Sequence, residues 1–156
     1  MKKDTIEFED IIGRYFNLKI NNQNYRIYVE EAGSGIPLIC LHTAGSDGRQ
    51  FRHILNDKKI TDKYRVIVFD LPWHGKSNPP EGYEDLDYKL TTDFYKQIIM
   101  SFCNKYELIN PVIMGCSMGG RVVLHLALEQ NEYFRAVIAL EGSDKLEPYY
   151  DLDWLY

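Results

Sequence analysis

The run Gly115-Cys116-Ser117-Met118-Gly119-Gly120 is the part of this 156-residue sequence best suited to chemistry. A short apolar stretch, 112–114, leads into it, and a helical pattern opens at Met118. A serine with glycines two positions to either side, at a strand-to-helix turn, is held on a sharply bent backbone with its hydroxyl thrust outward. The glycines let strand and helix approach more closely than a Cβ would allow. The helix that starts behind the serine aims its free N–H groups and positive dipole end at charge developing on a substrate oxygen. That arrangement serves nucleophilic attack on an acyl carbon. An idle serine in a glycine-rich turn is the plainer reading of the same residues. Cys116 is the weaker nucleophile candidate, because the residue before the apex should point into the core.

A serine hydroxyl needs a general base, and the base needs a third group to hold its tautomer. The histidines are His42, His53, His74 and His125. His42 opens the loop after the apolar run 37–41. His53 belongs to a surface helix. His74 follows the run 66–69, at the sheet edge where ligands bind. His125 lies eight residues beyond Ser117 on the same helix, about 12 Å along its axis, and reads as a packed or hydrogen-bonded core residue. The carboxylates in range of such a site are Glu141, at the end of the run 136–140, and Asp144. Asp70, after 66–69, reads instead as pinning its own turn through bonds to backbone N–H groups.

The elements that must position these residues are legible as patterns. Residues 14–20 and 24–31 alternate polar with apolar around Asn21-Asn22-Gln23, an antiparallel hairpin. Four unbroken apolar runs follow, at 37–41, 66–69, 112–114 and 136–140, as in parallel strands covered on both faces. Between them, 90–107 shows a four-residue apolar repeat (Phe94, Ile98, Phe102, Tyr106) behind a Thr91 cap. Residues 118–130 are apolar on nearly every side, and 49–57 form a shorter helix. The order β-β-β-α-β-α-β-α-β predicts an α/β, doubly wound, mostly parallel sheet opened by an antiparallel hairpin.

Composition sets the outer bounds. A sequence 45% apolar and 26% charged is that of one globular domain, so 1–156 is read as a single unit rather than a disordered chain. A net charge of −5 with scattered basic residues argues against a nucleic-acid groove. No apolar run approaches a bilayer span, and the acidic start departs from a signal peptide. The three cysteines, Cys40, Cys103 and Cys116, lie in apolar segments without metal spacing and read as free buried thiols in a reducing, cytoplasmic setting. No phosphate-cradling glycine motif and no metal-ligand spacing is present, so neither a cofactor nor a metal is expected.

The elbow, together with His42-Thr43-Ala44-Gly45 and Asp70-Leu71-Pro72-Trp73-His74-Gly75-Lys76-Ser77 after their strands, resembles the α/β-hydrolase superfamily over residues 14–142. The resemblance implies Ser117 as nucleophile and the backbone N–H groups of Ala44 and Met118 as the oxyanion hole. It implies that His42 supports its loop rather than catalyses. Thr43 stands where most members carry glycine. Some members place their acid at the end of the sixth strand, which would make it Glu141; others place it after the next strand. The family's histidine follows the last strand, so the chain is expected to be the N-terminal part of a longer hydrolase, with the C-terminal strands, the cap and the base missing. The aromatic tail, with Tyr149, Tyr150, Trp154 and Tyr156, then reads as the start of a cap over 143–156.

Two functions follow as expectations. The first is a serine hydrolase for an ester, thioester or similar small acyl substrate, with C–C and amide bonds open as close relatives. Serine in place of aspartate disfavours a haloalkane dehalogenase or an epoxide hydrolase. The second is a non-catalytic binding or assembly module. The open edge of the sixth strand and the aromatic tail both offer routes to self-association.

Overall fold

The computed structural model describes residues 6–86 and 90–143. Six strands form one sheet: β1 (Ile12–Ile20), β2 (Gln23–Ala32), β3 (Ile36–Leu41), β4 (Tyr64–Asp70), β5 (Val112–Cys116) and β6 (Ala136–Leu140). Their spatial order is β1-β2-β4-β3-β5-β6. β4, β3, β5 and β6 run parallel, and the β1–β2 hairpin is antiparallel both within itself and against β4. The chain is therefore doubly wound and mostly parallel, as its apolar runs predict.

The hairpin turns at Asn21 and Asn22, both at positive φ (48° and 65°), between the paired Ile20 and Gln23. Two left-handed residues give a turn whose twist matches that of the flanking strands, and asparagine tolerates the conformation better than most side chains. Along β2 the inward positions are Tyr25, Ile27, Val29 and then Glu31, all buried. The carboxylate at the end of that apolar row is neutralised on the spot. Arg65 of β4 donates to it from Nη2 (2.6 Å) and Nε (2.9 Å), Arg14 lies 3.0 Å away, and the Tyr106 hydroxyl 3.1 Å. A buried charge held this way fixes the hairpin against both β4 and the end of the following helix.

Of the parallel strands, β3, β4 and β5 are buried on both faces, with alternate residues in two cores, whereas β6, expected to be covered on both faces, alternates exposed with half-buried residues. Ile39, Leu41, Ile67 and Phe69 join the helices α3 (Thr92–Lys105) and α4 (Met118–Glu129) on one face. Cys40, Val66 and Val68 join Phe51 and Leu55 on the other. Thr91 caps α3, its side chain accepting the Phe94 N–H.

The helix expected over 49–57 is present over residues 48–56, its first turn 3-10 rather than α, and a further helical turn that the sequence did not mark follows it. A 3-10 turn, Gly48–Phe51, runs into α1 (Arg52–Asn56), and a separate turn, α2 (Lys58–Thr61), follows. Asp57 causes the break: its backbone is extended (ψ 108°), and its side chain caps the second piece by accepting the Lys59 N–H. Among the described residues no helix is long and apolar enough to cross a membrane. Asp144 and the tail aromatics lie outside the described residues.

Candidate active site

Ser117 sits between β5 and α4 at φ 50°, ψ −109°, and is exposed. A non-glycine residue in this region is strained and persists only where its surroundings over-determine it. Here they do. The Ser117 N–H donates to the Leu140 carbonyl of β6 (2.8 Å), and its carbonyl accepts the Arg121 N–H of α4 (2.8 Å). A Cβ on Gly115 would collide with the Gly119 carbonyl, and one on Gly119 with the Leu41 carbonyl. The bend is locked by contacts that only hydrogen atoms can fill. Met118 opens the helix, so its N–H is among those without an intrahelical acceptor. Cys116 is half-buried rather than fully enclosed in the core.

The loop after β3 lies alongside. Leu41 is in register with Gly115, and the Gly119 backbone packs on the Leu41 and His42 carbonyls. Thr43 occurs here without disorder of the loop geometry because both of its backbone groups are tied. Its N–H donates to Gln50 Oε1 (2.9 Å); its carbonyl accepts from His42 Nδ1 (2.8 Å) and the Ser46 N–H (3.3 Å). The Thr43 carbonyl and the Ala44 N–H belong to one planar trans peptide and point in opposite directions. Fixing the first therefore aims the second away from His42. Ala44 is exposed, and Gly45 follows at φ 66°. Gln50 carried no signal in the sequence: a side chain reaching seven residues back leaves no periodic trace.

His42 is fully buried and uses both ring nitrogens: Nδ1–H donates to Thr43, and Nε2 accepts the Leu71 N–H (3.1 Å). That leaves no nitrogen for a serine proton. Burial holds its pKa below the usual 6.5, ahead of the opposing bond to Thr43. The unfolded imidazole thus takes up a proton first as the pH falls. The stability from His42 is complete above about pH 6.5 and drains below it. Urea denaturation should give a midpoint that declines from pH 7 to pH 5. His42→Gln should start lower and show a flatter decline; an equal slope in both proteins would remove His42 as the source. Asp47, its carboxyl pulled down chiefly by the Arg49 side chain, acts only at more acid pH, with the same sign.

The other histidines are placed as follows. His53 is exposed on α1. His74 turns Nδ1 to the Pro72 carbonyl (2.9 Å) and packs its ring 4.9 Å from that of His42. His125 is half-buried on α4, and its buried Nε2 has no partner among the described residues. Asp70 pins its turn, accepting the N–H groups of Gly48 (2.8 Å) and Lys76 (2.7 Å). Glu141 follows β6 beside the elbow, exposed and at φ 52°. A cleft of about 520 Å³ opens between the loops after β3 and β4, walled by Gly45, Ser46, Arg52, Trp73 and His74. Cys40 and Cys103 are free and buried, with burial pushing both thiols up to about 12.

The sequence profile of the alpha/beta hydrolase fold family matches residues 36–155. This chain belongs to the α/β hydrolase fold family. The pimeloyl-[acyl-carrier protein] methyl ester esterase of Legionella pneumophila (strain Paris) is 28% identical over 128 residues, covering 82% of this chain and 46% of that protein. A hydrolase structure from Pseudomonas aeruginosa superposes with a TM-score of 0.75 at 20% identity, over 90% of this chain and 51% of the other. The N-acyl homoserine lactonase AidH, complexed with N-butanoyl homoserine, superposes with a TM-score of 0.68 at 28% identity, over 83% of this chain and 45% of AidH. This α/β hydrolase chain spans between 35% and 46% of the length of the first curated relatives it matches.

Proposed function

We propose that this chain carries the nucleophile half of a serine hydrolase acting on an ester, thioester or comparable acyl compound. The exposed Ser117 on its strained, glycine-locked turn is the observation that carries the reading. Ser117 Oγ bonds to the acyl carbon and gives its proton to an imidazole, which passes it to the departing alkoxide or thiolate. Water then reverses the sequence and frees the acid. The N–H groups of Met118 and Ala44 hold the oxyanion; removal of one such donor typically costs about 10²–10³ in rate. The cleft beside Ala44 takes one arm of the substrate. Relatives named as a methyl ester esterase and a lactonase favour carboxylic esters over amides.

Glu141 orients the imidazole through its Nδ1–H. None of the four histidines supplies that ring: His42 has both nitrogens engaged, His125 lies two turns down α4, His53 is on a surface helix, and His74 sits on the loop after β4. The base comes from outside these 156 residues. The same observation favours a second reading, a non-catalytic binding module with an idle serine.

Chemical rescue separates the two. Free imidazole should raise Ser117-dependent hydrolysis of a short-chain p-nitrophenyl ester by about tenfold over the same imidazole with Ser117→Ala, since a general base contributes about 10²–10⁴ when positioned. Equal rates for the two proteins at every imidazole concentration would favour the binding module.

A further inference from the structure

We infer that the cleft between the loops after β3 and β4 is a carboxylate subsite, in which Arg52 and Gln50 hold an anionic group that the substrate carries away from its scissile ester. The subsite presupposes Ser117 as nucleophile and specifies what one arm of the compound it attacks ends in. The cleft's lining runs from Gly45 to Gly75, on the segments that follow the two middle strands of the sheet. β6 and whatever adjoins it therefore take no part in building it.

The charges on the cleft wall do not cancel. Asp47, Arg49 and Arg52 line it, and the first two satisfy each other. The buried Asp47 carboxylate accepts from Arg49 Nη2 (2.7 Å), from its Nε (2.8 Å) and from its backbone N–H (2.9 Å). Arg52 is left over: it opens α1, is exposed, and its guanidinium has no hydrogen bond or ion pair among the described residues. A guanidinium presents its N–H donors in a planar fork that matches a carboxylate. Gln50 adds to it. Its Oε1 is taken by the Thr43 N–H (2.9 Å), so its NH2 group remains with two donors. Glu30 and Asp70 lie outside the lining and are engaged elsewhere, Glu30 with Lys76 (3.1 Å) and Asp70 with the Gly48 and Lys76 N–H groups. Trp73 and His74 make another part of the wall; Trp73 is held at φ 71° with its ring edge-on to Tyr83. One surplus cation suits a monoanion. A carboxylate is neutralised by Arg52, whereas a phosphate dianion leaves a negative charge unmatched beside Asp47.

Binding is read without the nucleophile. In NMR spectra of the full chain, N-methyladipamate, an anion with no ester to cleave, should shift the Gln50 side-chain amide saturably at roughly 1–10 mM, and equally in Ser117→Ala. N-methylhexanamide, the same chain without the charge, should leave that signal in place. Arg52→Gln should weaken the anion's binding at least about tenfold, and Arg52→Lys, which keeps the charge but not the fork, about threefold. Hydrolysis is read separately, in imidazole buffer, as the rate lost in Ser117→Ala. A chain of net charge −5 disfavours an unassisted anion. Mono-p-nitrophenyl adipate should nevertheless outpace p-nitrophenyl hexanoate by about tenfold at low ester concentration, and the ratio should fall to about one in Arg52→Gln. m-Butanoyloxybenzoate against phenyl butanoate puts the same question to the leaving arm, and a preference in either pair shows which arm enters the cleft. Arg52-dependent binding without Ser117-dependent hydrolysis of any ester would leave the carboxylate site standing and discard Ser117 as nucleophile. Ser117-dependent hydrolysis, with binding and rate ratios indifferent to Arg52→Gln, would overturn the subsite and keep the nucleophile. Inorganic phosphate binding more tightly than N-methyladipamate would also overturn it.

Discussion

Gly119→Ala is expected to destabilise the chain by about 3 kcal/mol and to lower its melting temperature by about 10 °C, although the change should favour the helix that contains it. Gly119 lies in the first turn of α4 at an ordinary helical φ, where alanine is the better helix former by about 1 kcal/mol. The penalty comes entirely from what the new methyl would meet. The Leu41 carbonyl occupies its place, and the His42 carbonyl is 2.9 Å away. Both acceptors are backbone: Leu41 is the last residue of a central strand that pairs with β4 on one side and β5 on the other, and His42 follows it directly. Neither can withdraw as a flexible side chain would. The helix must move off β3 instead, which withdraws Val122, Val123 and Leu126 from the core they share with Ile39 and Ile113. Gly82→Ala is the control: Gly82 has φ 76° but nothing within 4 Å of a Cβ, so it pays for conformation alone, about 1 kcal/mol. Thermal unfolding of the two variants gives the comparison. A Gly119→Ala protein as stable as the parent would mean that strand and helix are not in contact at the elbow.

The fold was legible where local pattern and tertiary role coincide. Runs such as 37–41 and 66–69 are apolar at every position because both faces of the sheet are covered, and the alternation in 24–31 survives because the hairpin lies at the rim. Asn21-Asn22 marks the turn for a stereochemical reason that holds in any context. The elbow was legible because Gly115 is constrained by the backbone of Gly119, and Gly119 by that of Leu41 and His42, which makes their spacing part of the chemistry. What escaped depends on contacts between distant residues. The docking of β2 on β4 rather than β3 leaves no mark in either strand's sequence. Glu31 sits in the inward row of β2, where periodicity alone calls for an apolar residue; it is tolerated because Arg14, Arg65 and Tyr106 converge on it from three other elements. The expected helix over 49–57 ends where Asp57 breaks the backbone; the turn that Asp57 caps, Lys58–Thr61, is too short to leave a periodic apolar pattern. Gln50 was invisible: its bond to Thr43 exists only because the 3-10 turn Gly48–Phe51 folds back over the loop that carries Ala44.

These observations bear on Thr43, the residue in a place where glycine is usual. The loop keeps its course because the threonine's N–H and carbonyl are both satisfied by neighbours, so the shape is imposed by partners rather than permitted by a missing side chain. His42 is central to that. Its neutral tautomer joins the loop after β3 to Leu71 after β4, which ties the aim of the Ala44 amide to the seating of two strands.

The measurement that bears most directly on Ser117 is its covalent capture. Incubation of the chain with a fluorophosphonate in imidazole buffer, followed by mass spectrometry of the tryptic peptide that ends at Arg121, should find one adduct per chain, on Ser117. Cys116→Ala should leave the adduct in place, because the half-buried thiol is not the attacking group. Ser117→Ala should reduce modification by about 10³-fold or more, to the background of surface hydroxyls. An adduct of undiminished yield in Ser117→Ala, or one mapped to any other residue of the parent chain, would contradict the assignment of Ser117 as the nucleophile.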